Sequence, residues 1–148
     1  MFNIAILGFG VIGNGVYEVI EENKERISAV FGSSVGYTRD TSIRIKHILD
    51  KREFLGHPLE RRITNDFNKI LSDSSVSVVV ETLGGTSPAF EFSKAALEAG
   101  KSVVTSNKEV VDKYGDILLE TADKHGVSYL YEASVGGGIP IIGPLESC

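Results

Sequence analysis

A glycine-rich loop follows the first apolar stretch of the chain. Residues 2–7 (FNIAIL) lead directly into Gly8, Gly10 and Gly13, which have the spacing G-x-G-x-x-G. In this pattern the first glycine permits a tight turn, the second lets backbone approach a pyrophosphate, and the third allows a helix to pack on the preceding strand. Unpaired amide groups at the start of that helix attract phosphate. The sequence therefore predicts a dinucleotide site, with a glycine turn that binds nothing as the alternative. The predicted residues are Gly8, Phe9, Gly10, Val11, Ile12 and Gly13.

Charged residues follow the second predicted strand, residues 43–49. Asp50 occupies the position at which a carboxylate accepts hydrogen bonds from the adenosine ribose and favours NAD, although it lies 42 positions after Gly8 instead of about 20. Lys51 and Arg52 could instead pair with the 2′-phosphate of NADP. A solvated charged turn is the third interpretation. The sequence thus predicts NADP or NAD as the cofactor and does not choose between them.

Two glycines end the most continuous β-branched run of the chain, residues 75–82, which is typical of an inner parallel strand. Ligands of open α/β sheets bind beyond the carboxyl ends of such strands. Thr82 and Gly84, in the segment 81–86 (ETLGGT), are therefore candidates for contact with the nicotinamide ribose. A plain strand-to-helix turn is the alternative.

A lysine opens the next predicted helix. Ser106 and Glu109 fit the S-x-x-E capping box, which gives both a structural role. Lys108 lies between them, where a cation opposes the helix dipole. Its presence indicates an anionic or carbonyl-bearing partner at the sheet edge that holds the cofactor, with a chance surface lysine as the alternative.

A second glycine-rich loop, residues 133–140, follows Glu132. Hard cations take carboxylate and carbonyl ligands, so Glu132 and this loop could hold a monovalent or small divalent ion. A flexible hinge is the alternative. The histidines, His47, His57 and His125, have no ligand spacing and are predicted to be structural.

The elements that must position these residues alternate between strand and helix. The predicted strands are 2–7, 43–49, 75–82, 102–105 and 127–131. The predicted helices are 11–29, a short one to Leu71 capped by Thr64 or Asp66, 88–99 behind a Ser87 cap, and 107–124 with a break near 114–115 as an option. Residues 32–41 are predicted to be a mobile surface loop. This alternation predicts an α/β fold of Rossmann type, a doubly wound and mostly parallel sheet with helices on both faces.

Composition narrows the class of protein. The 148 residues are 42% apolar and 24% charged, with a formal net charge of −5, which argues against binding to nucleic acid or to an anionic membrane. The only cysteine is Cys148, so no intrachain disulfide forms and a cytoplasmic location is expected. No apolar run approaches the roughly 20 residues that a membrane span requires.

Four motifs, in this order, resemble the N-terminal half of homoserine dehydrogenase: GFGVIG, ETLGGTSPA, VVTSNKEVV and YEASVGGGIPII. The resemblance implies NAD(P)-dependent interconversion of L-homoserine and L-aspartate 4-semialdehyde, on the route to threonine, methionine and isoleucine. It implies that Lys108 faces the nicotinamide and a small-molecule substrate and takes part in catalysis. It also implies a sodium ion held by Glu132, Val135, Gly137 and Ile139.

The same resemblance implies a domain organisation. Residues 1–140 would form the NAD(P)-binding domain, and 141–148 would begin a helix or linker toward a substrate domain that carries a further catalytic Asp and Lys. Such a piece would bind nucleotide without turning over homoserine, and the full-length enzyme would be a homo-oligomer. The rival hypothesis is a non-catalytic NAD(H)-sensing module, which would have no use for Lys108 or for the second glycine loop.

Overall fold

The computed structural model describes residues 2–35 and 42–147. The strands in these ranges are β1 Phe2–Leu7, β2 Ile43–Leu49, β3 Ile63–Thr64, β4 Val76–Glu81, β5 Ser102–Thr105 and β6 Tyr129–Leu130. The helices are α1 Val11–Glu22, α2 Lys24–Val35, α3 Phe67–Leu71, α4 Ala89–Glu98, α5 Lys108–His125, α6 Glu132–Val135 and α7 Ile142–Glu146. A 3₁₀ turn covers Glu60–Arg62. None of the helices in the described ranges is both long enough and apolar enough to cross a bilayer.

The strands form a six-stranded sheet in the order β3-β2-β1-β4-β5-β6. β1 pairs in parallel with β2, β2 with β3, and β5 with β6. Parallel neighbours need a crossover connection, and helices supply it along the chain. The predicted α/β fold of Rossmann type is confirmed.

The chain divides into two compact units, Met1–Val78 and Val79–Cys148. In unit 1 the core comes from β1 and β2, where Ala5, Ile6, Leu7, Ile45 and Ile48 are fully buried. β1 is a nearly continuous apolar run, as expected for a parallel strand that is covered on both faces, whereas β2 also carries Arg44, Lys46 and His47, which are not buried. Removal of these side chains from water is the main favourable contribution to folding of the unit.

Unit 2 has its own core, to which β4, β5 and the helices α4 and α5 contribute. Val79, Val103, Leu97 and Leu118 are fully buried there. The rings of Phe90 on α4 and Tyr114 on α5 stack with centroids 4.1 Å apart. α5 runs without interruption through 114–115, so the optional break in this helix was wrong. Gly115 costs the helix about 1 kcal/mol relative to alanine, which the packed face of an 18-residue helix outweighs.

The first predicted helix, 11–29, is in fact two helices. Asn23 ends α1, and its side-chain amide donates to the carbonyl of Val19 over 2.8 Å. Asparagine favours such termini because its side chain competes for backbone hydrogen bonds. α2 then continues to Val35, so the loop predicted at 32–41 was wrong for 32–35, and its remaining residues lie outside the described part of the chain.

Two predicted helix caps were wrong. Ser87 does not cap α4, which begins after Pro88 without a side-chain cap; the Ser87 hydroxyl instead donates to Glu91. The capping box of Ser106 and Glu109 is also absent, because Asn107 is the cap residue of α5 and its Oδ1 accepts from the Val110 amide. Spacing along the sequence does not show which polar residue, Ser106 or Asn107, takes the extended conformation that precedes α5.

Two other helix termini, the start of α3 and the end of α5, are as the sequence predicts. Asp66 caps α3 by accepting from the Asn68 amide, and Gly126 ends α5 with φ +65°, a left-handed conformation that glycine adopts without strain. The last strand is shorter than predicted, and α6 occupies the beginning of the predicted glycine loop. The sequence reasoning missed β3.

A charged cluster ties β2 to the turn before β4 within unit 1. Asp73 Oδ2 lies 2.7 Å from both Lys46 Nζ and His47 Nε2, and its Oδ1 accepts from the Ser75 hydroxyl. These contacts, Lys46 first, hold the pKa of Asp73 below its ordinary value. The cluster therefore stabilises the ionised carboxylate of the folded state.

We predict that Asp73→Asn lowers the free energy of unfolding by about 1 kcal/mol at pH 7. A depressed folded-state pKa contributes stability that is complete above the unfolded value, about 3.9, and is lost as the pH falls through the folded one. The difference between the two proteins should therefore shrink from about pH 5 downward in urea titrations.

The control for this series is Asp112→Asn, an exposed position on α5. It should change stability little at any pH. An Asp73→Asn deficit as large at pH 3 as at pH 7 would show that the cluster acts through packing rather than through charge.

Candidate cofactor site

The glycine loop leaves the amino end of α1 open. The Gly8 amide donates to the carbonyl of Leu49 at the end of β2, and Gly8 has φ +93°. α1 starts directly after Gly10 with no side-chain cap and no acidic residue in its first turn. A Cβ built on Gly10 would meet nothing within 4 Å. Backbone amides of this helix end are therefore available to an anion.

In the glycine loop the Phe9 side chain is buried, whereas the side chains of Val11 and Ile12 are exposed. Phe9 is buried and makes edge-on contacts with Tyr17, Phe54 and His57. Val11 and Ile12 are 93% and 54% exposed. Phe9 thus anchors the loop, whereas the next two residues offer apolar surface to a ligand.

Asp50 ties the end of β2 to the glycine loop. Its Oδ2 accepts from the Phe9 amide over 2.9 Å and from Arg52 Nη2 over 2.8 Å. Its Oδ1 accepts from the Arg52 amide and from Arg52 Nε, both over 2.9 Å. Arg52 Nη2 also donates to the Phe9 carbonyl over 2.7 Å.

These contacts limit the hydrogen bonds that the Asp50 carboxylate can accept from a ligand. Chiefly because of Arg52, and against the effect of burial, the pKa of Asp50 falls to about 2, so the carboxylate is ionised at neutral pH. A carboxylate has about four acceptor sites, and protein donors already occupy four. Little capacity remains for the hydroxyls of a ribose.

A cavity of about 380 Å³ lies beside this carboxylate, formed by residues that follow β2 and by residues in and around β3. Lys51 is exposed on its wall, and in the described part of the chain nothing pairs with the Lys51 ammonium. Leu55 adds apolar surface that is 81% exposed. The lining is Asp50, Lys51, Arg52, Glu53, Phe54, Leu55, Glu60, Ile63, Thr64 and Asn65.

In unit 2, a closed ring of hydrogen bonds holds the turn after β4. Glu81 is fully buried; it accepts from the Leu83 amide over 2.7 Å and from the Thr105 hydroxyl over 2.5 Å. The Thr105 hydroxyl accepts from the Asn107 amide, and Asn107 Nδ2 donates back to the carbonyls of Leu83, over 3.1 Å, and Gly85, over 2.7 Å. We call this set, Glu81, Leu83, Thr105, Asn107 and Gly85, the Glu81 ring.

Burial raises the pKa of the Glu81 carboxyl, and the hydrogen bonds from the Thr105 hydroxyl and the Leu83 amide oppose that effect. A buried carboxyl without such partners would cost several kcal/mol. The ring therefore supplies the hydrogen bonds that allow an acidic residue to lie buried at the end of β4.

The remaining site residues of unit 2 lie around this ring. Thr82 and Gly84 belong to the turn that it encloses, and Gly84 is exposed. Lys108 follows Asn107 directly, in the first turn of α5; it is exposed, and its ammonium has no ion pair within the described ranges. A free ammonium at this helix end is available for a ligand.

Glu132 begins α6 and reaches the start of α7. Its carboxylate accepts from the amides of Ile141, Ile142 and Gly143, which lower its pKa. Each oxygen has two acceptor positions, so one remains open. Val135, Gly137 and Ile139, the other sodium ligands that the resemblance implies, lie at the end of α6 and in the loop after it.

This loop packs tightly at Gly136. A Cβ there would lie 2.4 Å from the Ile139 carbonyl oxygen, so only glycine fits without a shift of the backbone. No group of three or more His, Cys, Asp or Glu side chains that could hold a metal occurs within residues 2–35 and 42–147. Any cation here would depend on one carboxylate and on backbone carbonyls.

Sequence reasoning missed the roles of Thr105 and Asn107. A usable signal was Glu81 itself, because a carboxylate inside an apolar β-branched run must find hydrogen-bond donors from neighbouring strand ends. The polar residues at the end of β5 and directly after it were the available donors.

Comparison with known proteins identifies the family. The family model for the homoserine dehydrogenase NAD-binding domain matches residues 8–132. The homoserine dehydrogenase of Lactococcus lactis is 38% identical over 145 residues, which are 98% of this chain and 33% of that protein. The Synechocystis enzyme is 37% identical over 97% of this chain and 31% of its own length.

Comparison with solved structures gives the same family. A homoserine dehydrogenase from Thiobacillus denitrificans has a TM-score of 0.83 and 33% identity, and the match covers 97% of this chain and 32% of that one. The Staphylococcus aureus enzyme at pH 7.5 has a TM-score of 0.79 and 36% identity over 93% of this chain and 33% of its own. The chain thus spans about a third of the length of these relatives. It belongs to the homoserine dehydrogenase family and corresponds to the NAD-binding domain of these enzymes.

Proposed function

We propose that this chain is the cofactor-binding portion of an NAD(P)-dependent homoserine dehydrogenase, which interconverts L-homoserine and L-aspartate 4-semialdehyde. The observation that carries the proposal is the open amino end of α1 behind the Gly8–Gly10 turn, in a domain of this family. The uncapped amides of this helix end and the helix dipole suit a pyrophosphate.

Unit 1 takes the adenosine half of the cofactor in this proposal. The backbone of the segment 8–13 binds the pyrophosphate, and Val11 and Ile12 cover it with apolar surface. The cavity beside Asp50 accepts the adenosine, because it combines apolar and polar groups after two neighbouring strands.

Within this proposal NADP is the preferred cofactor. Asp50 has its four acceptor positions occupied and its charge paired with Arg52, so it neither attracts a ribose diol nor strongly repels a phosphate. Lys51 lies on the same cavity, and its ammonium has no partner among residues 2–35 and 42–147. A 2′-phosphate would supply its missing partner.

We predict that Lys51→Ala weakens NADPH binding about tenfold, the value of one charge-assisted contact, and leaves NADH binding unchanged. Isothermal titration of both cofactors measures the difference. Lys69→Ala on α3 removes the same charge away from the cavity and should alter neither affinity. Equal losses for NADPH and NADH would contradict the assignment of Lys51 to the 2′-phosphate.

Unit 2 provides the groups for the nicotinamide half and for the substrate. Thr82 and Gly84 contact the nicotinamide ribose, because an exposed glycine lets backbone approach it. The bound cofactor supplies hydride transfer. Lys108, whose ammonium has no competing partner in the described residues, hydrogen-bonds the substrate C4 oxygen and polarises it as the carbonyl forms or is reduced.

We predict that Lys108→Ala, in a complete homoserine dehydrogenase carrying this domain, lowers kcat by at least about 100-fold and changes cofactor affinity less than threefold. Steady-state kinetics and cofactor titration separate the two effects. Lys113→Ala, an exposed lysine one turn further along α5, is the matched control and should retain activity. Unchanged turnover in the Lys108 variant would remove this lysine from the mechanism.

A sodium ion at Glu132 is part of the same proposal. The donor set fits a hard monovalent cation, since one carboxylate position remains open and the loop 136–140 offers only backbone carbonyls. Glu132 with Val135, Gly137 and Ile139 would hold the ion. Bound there, it would neutralise a carboxylate and brace the glycine loop.

We predict that sodium chloride stabilises the chain relative to choline chloride of equal ionic strength, by about 1.4 kcal/mol at ten times the sodium Kd. Thermal denaturation measures the effect, and Glu132→Gln should abolish it. Glu109→Gln on α5 should leave it intact. Identical melting curves of the wild-type chain in the two salts would argue against the ion.

The complete enzyme is, in this proposal, a cytoplasmic homo-oligomer that acts on a small molecule and not on nucleic acid. The net charge of −5 of this chain supports only the last point, because negative charge disfavours polyanionic partners.

A further inference from the structure

The turn after β4 lacks the packing that restrains most turns. Gly84 and Gly85 are exposed, and a Cβ built on either would meet nothing within 4 Å. Gly85 has φ +70°. Two adjacent glycines carry a large conformational entropy, so a defined turn needs specific hydrogen bonds.

The Glu81 ring supplies those bonds, and Asn107 makes the ones that reach the glycines. Both protons of its side-chain amide are donated, to Leu83 and to Gly85, while its Oδ1 caps α5 through Val110. The side chain is 8% exposed. All its hydrogen-bonding groups are therefore used.

We propose that Asn107 is a positioning residue that sets the turn 82–85 for the nicotinamide half of the cofactor and joins this turn to the start of the helix that carries Lys108. This inference rests on the proposed function. Among the side chains that favour the N-cap position, asparagine combines these tasks, because aspartate has no donors and serine or threonine is too short to reach both carbonyls while capping the helix.

The two tasks can be separated by Asn107→Asp. Aspartate caps a helix as well as asparagine does, so α5 should persist. The two donated bonds are lost, however, and a carboxylate oxygen replaces the amide beside two carbonyl oxygens. The turn 82–85 should be released while the rest of unit 2 stays folded.

The experiment titrates the full chain with NADPH and with ADP, which lacks the nicotinamide half. Asn107→Asp should bind NADPH about tenfold more weakly and ADP within twofold of wild type. Hydrogen exchange of the peptide covering 82–87 should accelerate in the same variant. A residue that only stabilised the fold would weaken both ligands alike.

Asn23→Asp is the matched control, since it makes the same substitution and removes a donor to the Val19 carbonyl at the end of α1. It should bind both ligands as wild type does. If Asn107→Asp does not fold, Asn107→Ser tests the same point, because the hydroxyl can cap α5 but cannot reach the turn.

Each outcome decides between hypotheses. NADPH affinity unchanged in Asn107→Asp, or an equal loss for ADP, overturns the positioning role and leaves the proposed function intact. Failure of the wild-type chain to bind either nucleotide contradicts the proposed function and this inference with it. A selective loss for NADPH with faster exchange at 82–87 supports both.

Discussion

Parallel pairing of neighbouring strands is the constraint on which the site depends. Such strands all end at the same edge, and each must be followed by a crossover, so the residues after the strands are brought together. In unit 1 this places the segment 8–13 beside Asp50 and Arg52, at the ends of β1 and β2. In unit 2 it places the turn 82–85 beside Thr105 and Asn107, at the ends of β4 and β5.

Two carboxylates, Asp50 and Glu81, show how hydrogen bonds fix the loops that follow the strands. Asp50 is paired with Arg52 and organises the glycine loop through the Phe9 amide, whereas Glu81 is fully buried and relies on neutral donors. The environments shift their pKa values in opposite directions, down for Asp50 and up for Glu81. Both side chains order a loop rather than pointing freely at a ligand, and loops of this kind would otherwise be mobile because glycines dominate them.

The fold and most elements could be predicted from the chain, because apolar periodicity and glycine spacing are local signals. β1 and β2 have the predicted bounds, and Gly126 ends α5 as expected. Errors occurred where several polar residues competed for one role. Asn23 divides a predicted helix, and Asn107 caps α5 in place of Ser106. Which polar residue takes such a role depends on backbone conformations that propensity does not specify. It also depends on hydrogen bonds to residues that are distant along the chain, such as the bond from Asn107 to Gly85.

The amino-acid sequence by itself determined the class of fold, the glycine loop, the lysine at the start of α5 and the family resemblance, because each depends on residue types at short spacing. Only the tertiary structure decided what the side chains contact. It showed that the Asp50 carboxylate accepts from the Phe9 and Arg52 amides, and that the Glu132 carboxylate accepts from amides at the start of α7. It also assigned Asn107 to a turn 22 positions earlier. The contacts of Asp50 and Asn107 join residues at neighbouring strand ends, which parallel pairing brings within reach.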